Sequence, residues 1–326
     1  MRNSVVMSTG RYLPEKVVFN EDLTQFPASS LKLIAEKTGV LCRRSAAESQ
    51  CTSDLCIESG RACLDKIGFP AERVQGIIVS SASPDRVQPA TATRVQDKLG
   101  AEMAFAFDIN SACSGSTFGI SLADSLIKSG KYDNILFVAA EMHSRIVNQK
   151  DFATCPYFGD GSGAILFGVG DSQTEGVLHS ILRTDGSKCD VAHIPGGGTM
   201  LPFEKMADPG LAYLKMSGRP VYDFALHRGS EVIKQLVDEA GVSLGEVECF
   251  IPHQANVNII RKIAEIIGVP AERFFVNLDR YGNTGSASVL IALDEAISSG
   301  VVSKGSLVVT AAFGGGLSWG ANLIRI

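Results

Sequence analysis

Apolar and polar positions along this chain follow two periods in turn. Short apolar runs bounded by Gly, Pro and polar residues read as buried strands at 76–82, 104–109, 134–140 and 163–169. Three more follow at 248–252, 306–313 and 322–326. Between them stand stretches with helical spacing. Residues 114–129 place Phe118, Ile120, Leu122, Leu126 and Ile127 on a helix that stops at Gly130. Further helices are predicted at 221–240, closed by Gly241, at 256–267, closed by Gly268 and Pro270, and at 285–299. Strands alternating with helices predict an α/β protein. The order is similar in two halves, 1–172 and 173–326, as an internal duplication would give, although residue identity between them is not evident. Residues 171–220 are Gly-rich and read as irregular. They are expected to link the halves and cover the site.

Composition narrows the class. At 326 residues the chain has room for two such halves. Hydrophobic residues are 45% and charged ones 20%, which excludes a disordered chain. Lys and Arg number 30 against 35 Asp and Glu, so no general footprint for nucleic acid is present. No apolar run approaches the ~20 residues of a membrane span. The first residues lack the apolar core of a secretory leader, so a cytoplasmic, reducing setting is expected for the eight cysteines. None forms a Cys-x-x-Cys pair and no histidine cluster accompanies them, so no metal site is expected.

One cysteine has a nucleophile's context. Cys113 lies in 108–119 (DINSACSGSTFG), where a strand ends and a helix begins. A thiol at a helix N-terminus meets unpaired N–H groups and the positive end of the dipole, which favour thiolate. Ser111, Ala112, Ser114 and Gly115 are small enough for a sharp turn and a close substrate. The alternative is a buried structural cysteine, the reading kept for the other seven. His253 follows a predicted strand in 250–256 (FIPHQAN), at a strand end where α/β sheets bind ligands. It could equally be a satisfied core or capping histidine. Asn283 lies in 277–287 (NLDRYGNTGSA), a sequence that also reads as a turn and helix cap. The loop 313–319 (FGGGLSW) could line an oxyanion hole with glycine N–H groups, or form a tight turn.

Order and context together are specific. With the opening Gly10-Arg-Tyr-Leu-Pro14, Thr38-Gly39, the Cys113 elbow, Phe158-Gly-Asp-Gly161, His253-Gln-Ala-Asn256, Gly282-Asn-Thr284 and Gly314–Gly316, nearly the whole chain resembles the β-ketoacyl-acyl carrier protein synthase III family of thiolase-like condensing enzymes. The resemblance implies a five-layered αβαβα fold from two similar halves, a cytoplasmic homodimer, and no metal or redox cofactor. It implies that Cys113 takes an acyl group from acyl-CoA or an acyl-carrier protein. His253 and Asn283 then stabilise the enolate formed when malonyl-carrier protein or malonyl-CoA loses CO2, and attack on the acyl-Cys113 carbonyl gives a 3-oxoacyl thioester. Cys113 and Gly315 would supply the oxyanion hole. Substrate contacts are implied at Gln88, Phe152, Arg219, Asn256 and Asn258. The pathway would be fatty acid or specialised polyketide synthesis.

Several positions depart from acetyl-CoA-using members. The aromatic and arginine that sandwich the CoA adenine there correspond to Leu33 and Phe152. A carrier-docking arginine corresponds to Asn258, with Arg261 and Lys262 close behind. The phenylalanine that closes the partner's acyl pocket corresponds to Gln88. These departures fit a longer, polar or carrier-delivered primer. The competing readings are an acyltransferase or thioester hydrolase using the same Cys-His-Asn set, and a silent partner subunit.

Overall fold

The computed structural model describes residues 2–170, 172 and 174–326. The chain opens with β1 (Asn3–Tyr12), then β2 (Lys16–Phe19), α1 (Ala28–Thr38), β3 (Cys42–Ser45), α2 (Thr52–Asp65), β4 (Gly76–Ser80), α3 (Thr91–Leu99) and β5 (Phe105–Ile109). It continues through α4 (Gly115–Lys128), β6 (Asn134–Met142), the single turn α5 (His143–Ile146) and β7 (Asp160–Gly170). Then come β8 (Gly176–Thr184), β9 (Ala192–His193), β10 (Lys215–Met216), α6 (Gly218–Ala240), β11 (Cys249–Pro252) and α7 (Val257–Ile267). The last elements are α8 (Leu278–Tyr281), α9 (Ala287–Ser298), β12 (Leu307–Gly314) and β13 (Ser318–Arg325).

Two sheets carry the molecule. One has the order β1-β7-β6-β4-β5 and the other β8-β13-β12-β11. The pairings match step for step. β1–β7 and β7–β6 are antiparallel, then β6–β4 and β4–β5 parallel. Likewise β8–β13 and β13–β12 are antiparallel and β12–β11 parallel, with a parallel bridge from Phe250 to Phe274 standing where a fifth strand would be. The duplication expected from pattern is thus present in topology. The boundary placed after residue 172 falls beside Asp171 and Gln173, which lie outside the described residues.

Strand alternation explains the layers. On β6, Leu136, Val138 and Ala140 pack outward with α2 and α3, while Ile135, Phe137 and Ala139 face inward with α4 and α9. On β12, Val308 and Ala312 face inward, and Leu307, Val309, Ala311 and Phe313 face α6 and α7. Strands covered on both faces carry apolar residues at every position, which is why they read as continuous runs. Helix α9 is buried from Ala287 through Asp294, as a helix between two sheets must be. The order of layers is therefore α2/α3, sheet, α4/α9, sheet, α6/α7, the five-layered arrangement expected.

The structure corrects the pattern in three places. Residues 176–184 are not irregular but form β8, whose Val177 and Ile181 are buried beneath polar neighbours. The last strand starts at Ser318, four residues before the expected 322, because 315–317 form a tight turn between paired strands. β1 carries no apolar run because its buried positions are polar and satisfied. Ser8 donates to the Cys63 carbonyl at 2.7 Å and Thr9 to Asp294 at 2.7 Å. No helix among the described residues is long and apolar enough to cross a membrane.

Leu290 is fully buried in the central layer. Leu290→Ala should cost about 2–5 kcal/mol in urea unfolding, whereas Leu33→Ala at the exposed α1 surface should change it little. Equal, small effects would contradict the central placement of α9.

Candidate active site

Cys113 sits in a 3-10 turn, 112–114, between the end of β5 and the first residue of α4. Ala112, just before it, has φ +44°, a left-handed conformation that a side chain adopts only under constraint. The constraint comes from the other sheet. A Cβ placed on Gly314 would lie 2.6 Å from the Cys113 nitrogen and 2.9 Å from the Ser114 nitrogen. Gly314 is therefore a glycine because two backbones meet there. The Oγ atoms of Ser114 and Ser318 lie 2.7 Å apart and tie the same two segments together.

The thiol opens on a cavity of about 1180 Å³ that also exposes His253, Asn283, Gly315 and Glu141. His253 follows β11 directly. Its ring is edge-on to Phe313 at 5.5 Å, and its Nδ1 lies 2.7 Å from Ser288 Oγ. The Ser288 oxygen also accepts from the Gln254 N–H at 3.3 Å and can still donate its own proton to Nδ1. With Ser288 donating, the imidazole proton lies on Nε2. Burial, with the nearby His143 second, lowers the His253 pKa to about 3, so the ring is neutral at ordinary pH.

Asn283 is held by the segment before β7. Its N–H donates to the Tyr157 carbonyl at 2.8 Å, and its carbonyl accepts from Gly159 at 3.0 Å. The side-chain Oδ1 accepts from the Gly285 N–H at 2.9 Å, which leaves the Nδ2 protons for the cavity. The motif at 158–161 therefore acts as the backing of Asn283. Gln254 is a clamp of the same kind, donating to the Pro252 and Phe275 carbonyls at 2.8 and 3.0 Å.

The thiol departs from expectation. Burial pushes Cys113 up to about 12, the Glu141 carboxylate adds to this, and its own N–H opposes both. Desolvation is the largest of these influences.

Comparison with known proteins now fits this geometry. Residues 107–186 match the family model 3-Oxoacyl-[acyl-carrier-protein (ACP)] synthase III, and 237–326 match its C-terminal model. The β-ketoacyl-[acyl-carrier-protein] synthase III of Clostridium perfringens (strain SM101 / Type A) is 39% identical over 326 residues, covering 100% of both chains. The chain belongs to the 3-oxoacyl-[acyl-carrier-protein] synthase III family. The crystal structure of the synthase III from Aquifex aeolicus VF5 is similar with TM-score 0.91 and 36% identity, over 99% of this chain and 100% of that one. The priming β-ketosynthase of the R1128 polyketide pathway is similar with TM-score 0.91 and 28% identity, over 99% and 97%.

Not every residue implied for substrate by this synthase III resemblance lies at the cavity. Gln88 is exposed outside it, and Val87 lines it instead. Phe152 packs edge-on to Phe26 at 5.1 Å rather than facing the cavity, and Leu33 is exposed. Arg219 is at the exposed start of α6, paired with Asp223 at 2.8 Å. Asn256 and Asn258 do line the cavity, but both side chains donate to the Lys37 carbonyl, at 3.0 and 2.9 Å. Their amides hold α7 against the end of α1, and Asn256 caps α7 by accepting from the Asn258 N–H.

Three contributors carried no motif. Glu141 ends β6 and is fully buried, accepting from Ser83 Oγ at 2.7 Å, Ser286 Oγ at 2.8 Å and the Ala82 N–H at 3.1 Å. It joins the start of α9 to the loop after β4. His143 follows it at the cavity wall. The β9–β10 pair draws Ile194, Leu214 and Met216 over the cavity, as expected of a cover. A signal existed for the first two, since both lie at the end of a strand parallel to its neighbour.

Two measurements check the electrostatics. Alkylation of Cys113 by iodoacetamide should rise about tenfold per pH unit from pH 7 to 9 without a plateau, because the raised pKa keeps the thiolate scarce. A plateau below pH 7 would contradict this. In NMR, the lowered pKa means that the His253 ring resonances should not titrate between pH 5 and 8. A midpoint near 6.5 would show an ordinary, solvated histidine instead.

Proposed function

We propose that Cys113, His253 and Asn283 divide the synthase III reaction between them. The protein is an acyltransferase-class condensing enzyme that joins an acyl primer to a malonyl extender with loss of CO2, in fatty acid or polyketide synthesis. In the first half, Cys113 Sγ attacks the primer thioester. The new Sγ–C bond forms as the old C–S bond breaks, and the thiol proton ends on the departing thiol. Because proton number is conserved, the step needs no standing thiolate. The N–H groups of Cys113 and Gly315 bind the oxyanion.

In the second half, the malonyl thioester loses CO2 and its carbonyl oxygen becomes an enolate. His253 Nε2–H and Asn283 Nδ2–H donate to that oxygen. Their common preparation carries this reading: Nδ1 of one and Oδ1 of the other are already occupied, at 2.7 and 2.9 Å. The free groups on both are donors, and a neutral imidazole beside a fixed amide suits charge that appears only in the transition state. The enolate carbon then attacks the acyl-Cys113 carbonyl, the C–Sγ bond breaks to release the 3-oxoacyl thioester, and the Cys113 sulfur takes up a proton from solvent.

The working unit is a homodimer in the cytoplasm. β5 is an edge strand whose five residues, including Phe105 and Phe107, are only half-buried. Pairing it with a second copy would remove the exposed edge. The exposed loop with Val87 and Gln88 would then reach the partner's cavity. Arg261 and Lys262 are exposed on α7 and offer a basic face to an acidic carrier protein. The eight cysteines are free thiols, as a reducing compartment would keep them. The halves 1–172 and 173–326 correspond to one sheet each.

Cys113→Ala should abolish acylation from an acyl thioester, read by intact mass. His253→Ala and Asn283→Ala should still acylate but should each slow malonyl decarboxylation by about 10²–10³. Acyl mass on the Cys113→Ala protein would sink the nucleophile assignment. Unchanged decarboxylation in the other two would sink the enolate role.

A further inference from the structure

The proposed mechanism uses one of two histidines that line the cavity. His143 is the other, and it is only 3% exposed. It begins the turn after β6, two residues beyond Glu141. Its ring leans on Phe158, with centroids 4.6 Å apart and planes at 41°. Nδ1 lies 3.4 Å from the Gly159 carbonyl, which can only accept, so Nδ1 carries a proton. Nε2 makes no hydrogen bond among the described residues and keeps some access to the cavity.

An imidazole nitrogen without a protein partner, on a cavity wall where apolar residues stand among Asn, Glu and His side chains, is free to meet a hydrogen-bonding ligand. The nitrogen sits against Gly285, where a Cβ would lie 3.2 Å from Nε2, 2.6 Å from Cε1 and 2.8 Å from Glu141 Cγ. Gly285 thus lets its backbone lie close against this edge of the ring. Ile146, Phe158, Ile194 and Leu214 are apolar residues of the same cavity wall.

We propose that His143 Nε2 accepts a hydrogen bond from a hydroxyl on the acyl primer, so that the enzyme selects a hydroxyacyl thioester over the plain acyl chain. This rests on Cys113 being the acylated residue. The chemistry decides between polar groups. With its proton on Nδ1, the ring presents a lone pair, which a hydroxyl donor satisfies. A carboxylate on the primer would instead meet that lone pair beside Glu141, and both would repel it. A plain chain would leave Nε2 unpaired, and sites built to bond a hydroxyl discriminate against chains that lack it.

The test uses butyryl-CoA, 3-hydroxybutyryl-CoA and 4-hydroxybutyryl-CoA, followed as mass added to Cys113 with time. In the wild-type protein at least one hydroxylated thioester should acylate about tenfold faster than butyryl-CoA or more. His143→Leu should bring that ratio to about one. His143→Gln, which can place an acceptor near the same point, should keep most of it. Thermal unfolding reports whether each variant is folded, and the wild-type and Gln ratios carry the test if the Leu variant is not. Equal rates in the wild type, or a preference that survives in His143→Leu, would overturn the hydroxyl role and leave Cys113 intact. Acyl mass appearing elsewhere than on Cys113, or with none of the three thioesters, would overturn both.

Discussion

The site depends on a place where two backbones touch. Gly314, at the end of a strand of the second sheet, lies against the nitrogens of Cys113 and Ser114 at the end of the first. No side chain fits between them, and Ala112 is turned into a left-handed conformation beside the contact. Because the nucleophile and the glycine turn come from different sheets, the cavity floor is assembled only when both halves are docked. The apolar sandwich of α4 and α9 between the sheets supplies the adhesion that holds them so. A buried layer of that size makes the docking cooperative with folding rather than a later adjustment.

The chemistry follows from the same enclosure. Burial raises the pKa of the Cys113 thiol and lowers that of the His253 imidazole, so both groups favour their neutral forms. Donors are fixed before any anion exists. The Ser288 contact holds Nδ1 of His253, and the Gly285 N–H sets the orientation of the Asn283 amide. Donors fixed in advance act most strongly on charge that develops late, as the proposed oxyanion and enolate would. The β9–β10 segment places apolar Ile194, Leu214 and Met216 at the wall of the same cavity.

Much of this was legible in the sequence, for a physical reason. Cys113, His253 and Asn283 each sit where a strand or turn passes into a helix, and such junctions are marked by Gly, Pro, Ser and Asn. The two-half α/β plan was legible because strands buried on both faces cannot hide their apolar runs. β1 and β8 were not, since serine and threonine fill buried positions in one and polar residues alternate in the other. His143 and Glu141 escaped because their roles come from neighbours far along the chain, such as Gly285 and Ser286. Gln88, Phe152 and Arg219 were placed by resemblance alone. A position shared with a family does not say which way its side chain is taken up, and Phe26 and Asp223 take up two of them. The helix terminus beside Cys113 is visible in sequence, while the desolvation that raises its pKa is not.

Membership of the synthase III family and the prepared donors make one claim together: the acyl group on Cys113 is passed to a carbon nucleophile made in the same cavity. The most direct measurement is a single-turnover chase. Enzyme loaded with a labelled acyl group and freed of excess thioester is mixed with malonyl-carrier protein. The account predicts that acyl mass leaves Cys113 as 3-oxoacyl-carrier product appears in equal amount, with one CO2 for each. Release of the label as free acid, or its persistence on Cys113 while malonyl-carrier protein is unchanged, would contradict it.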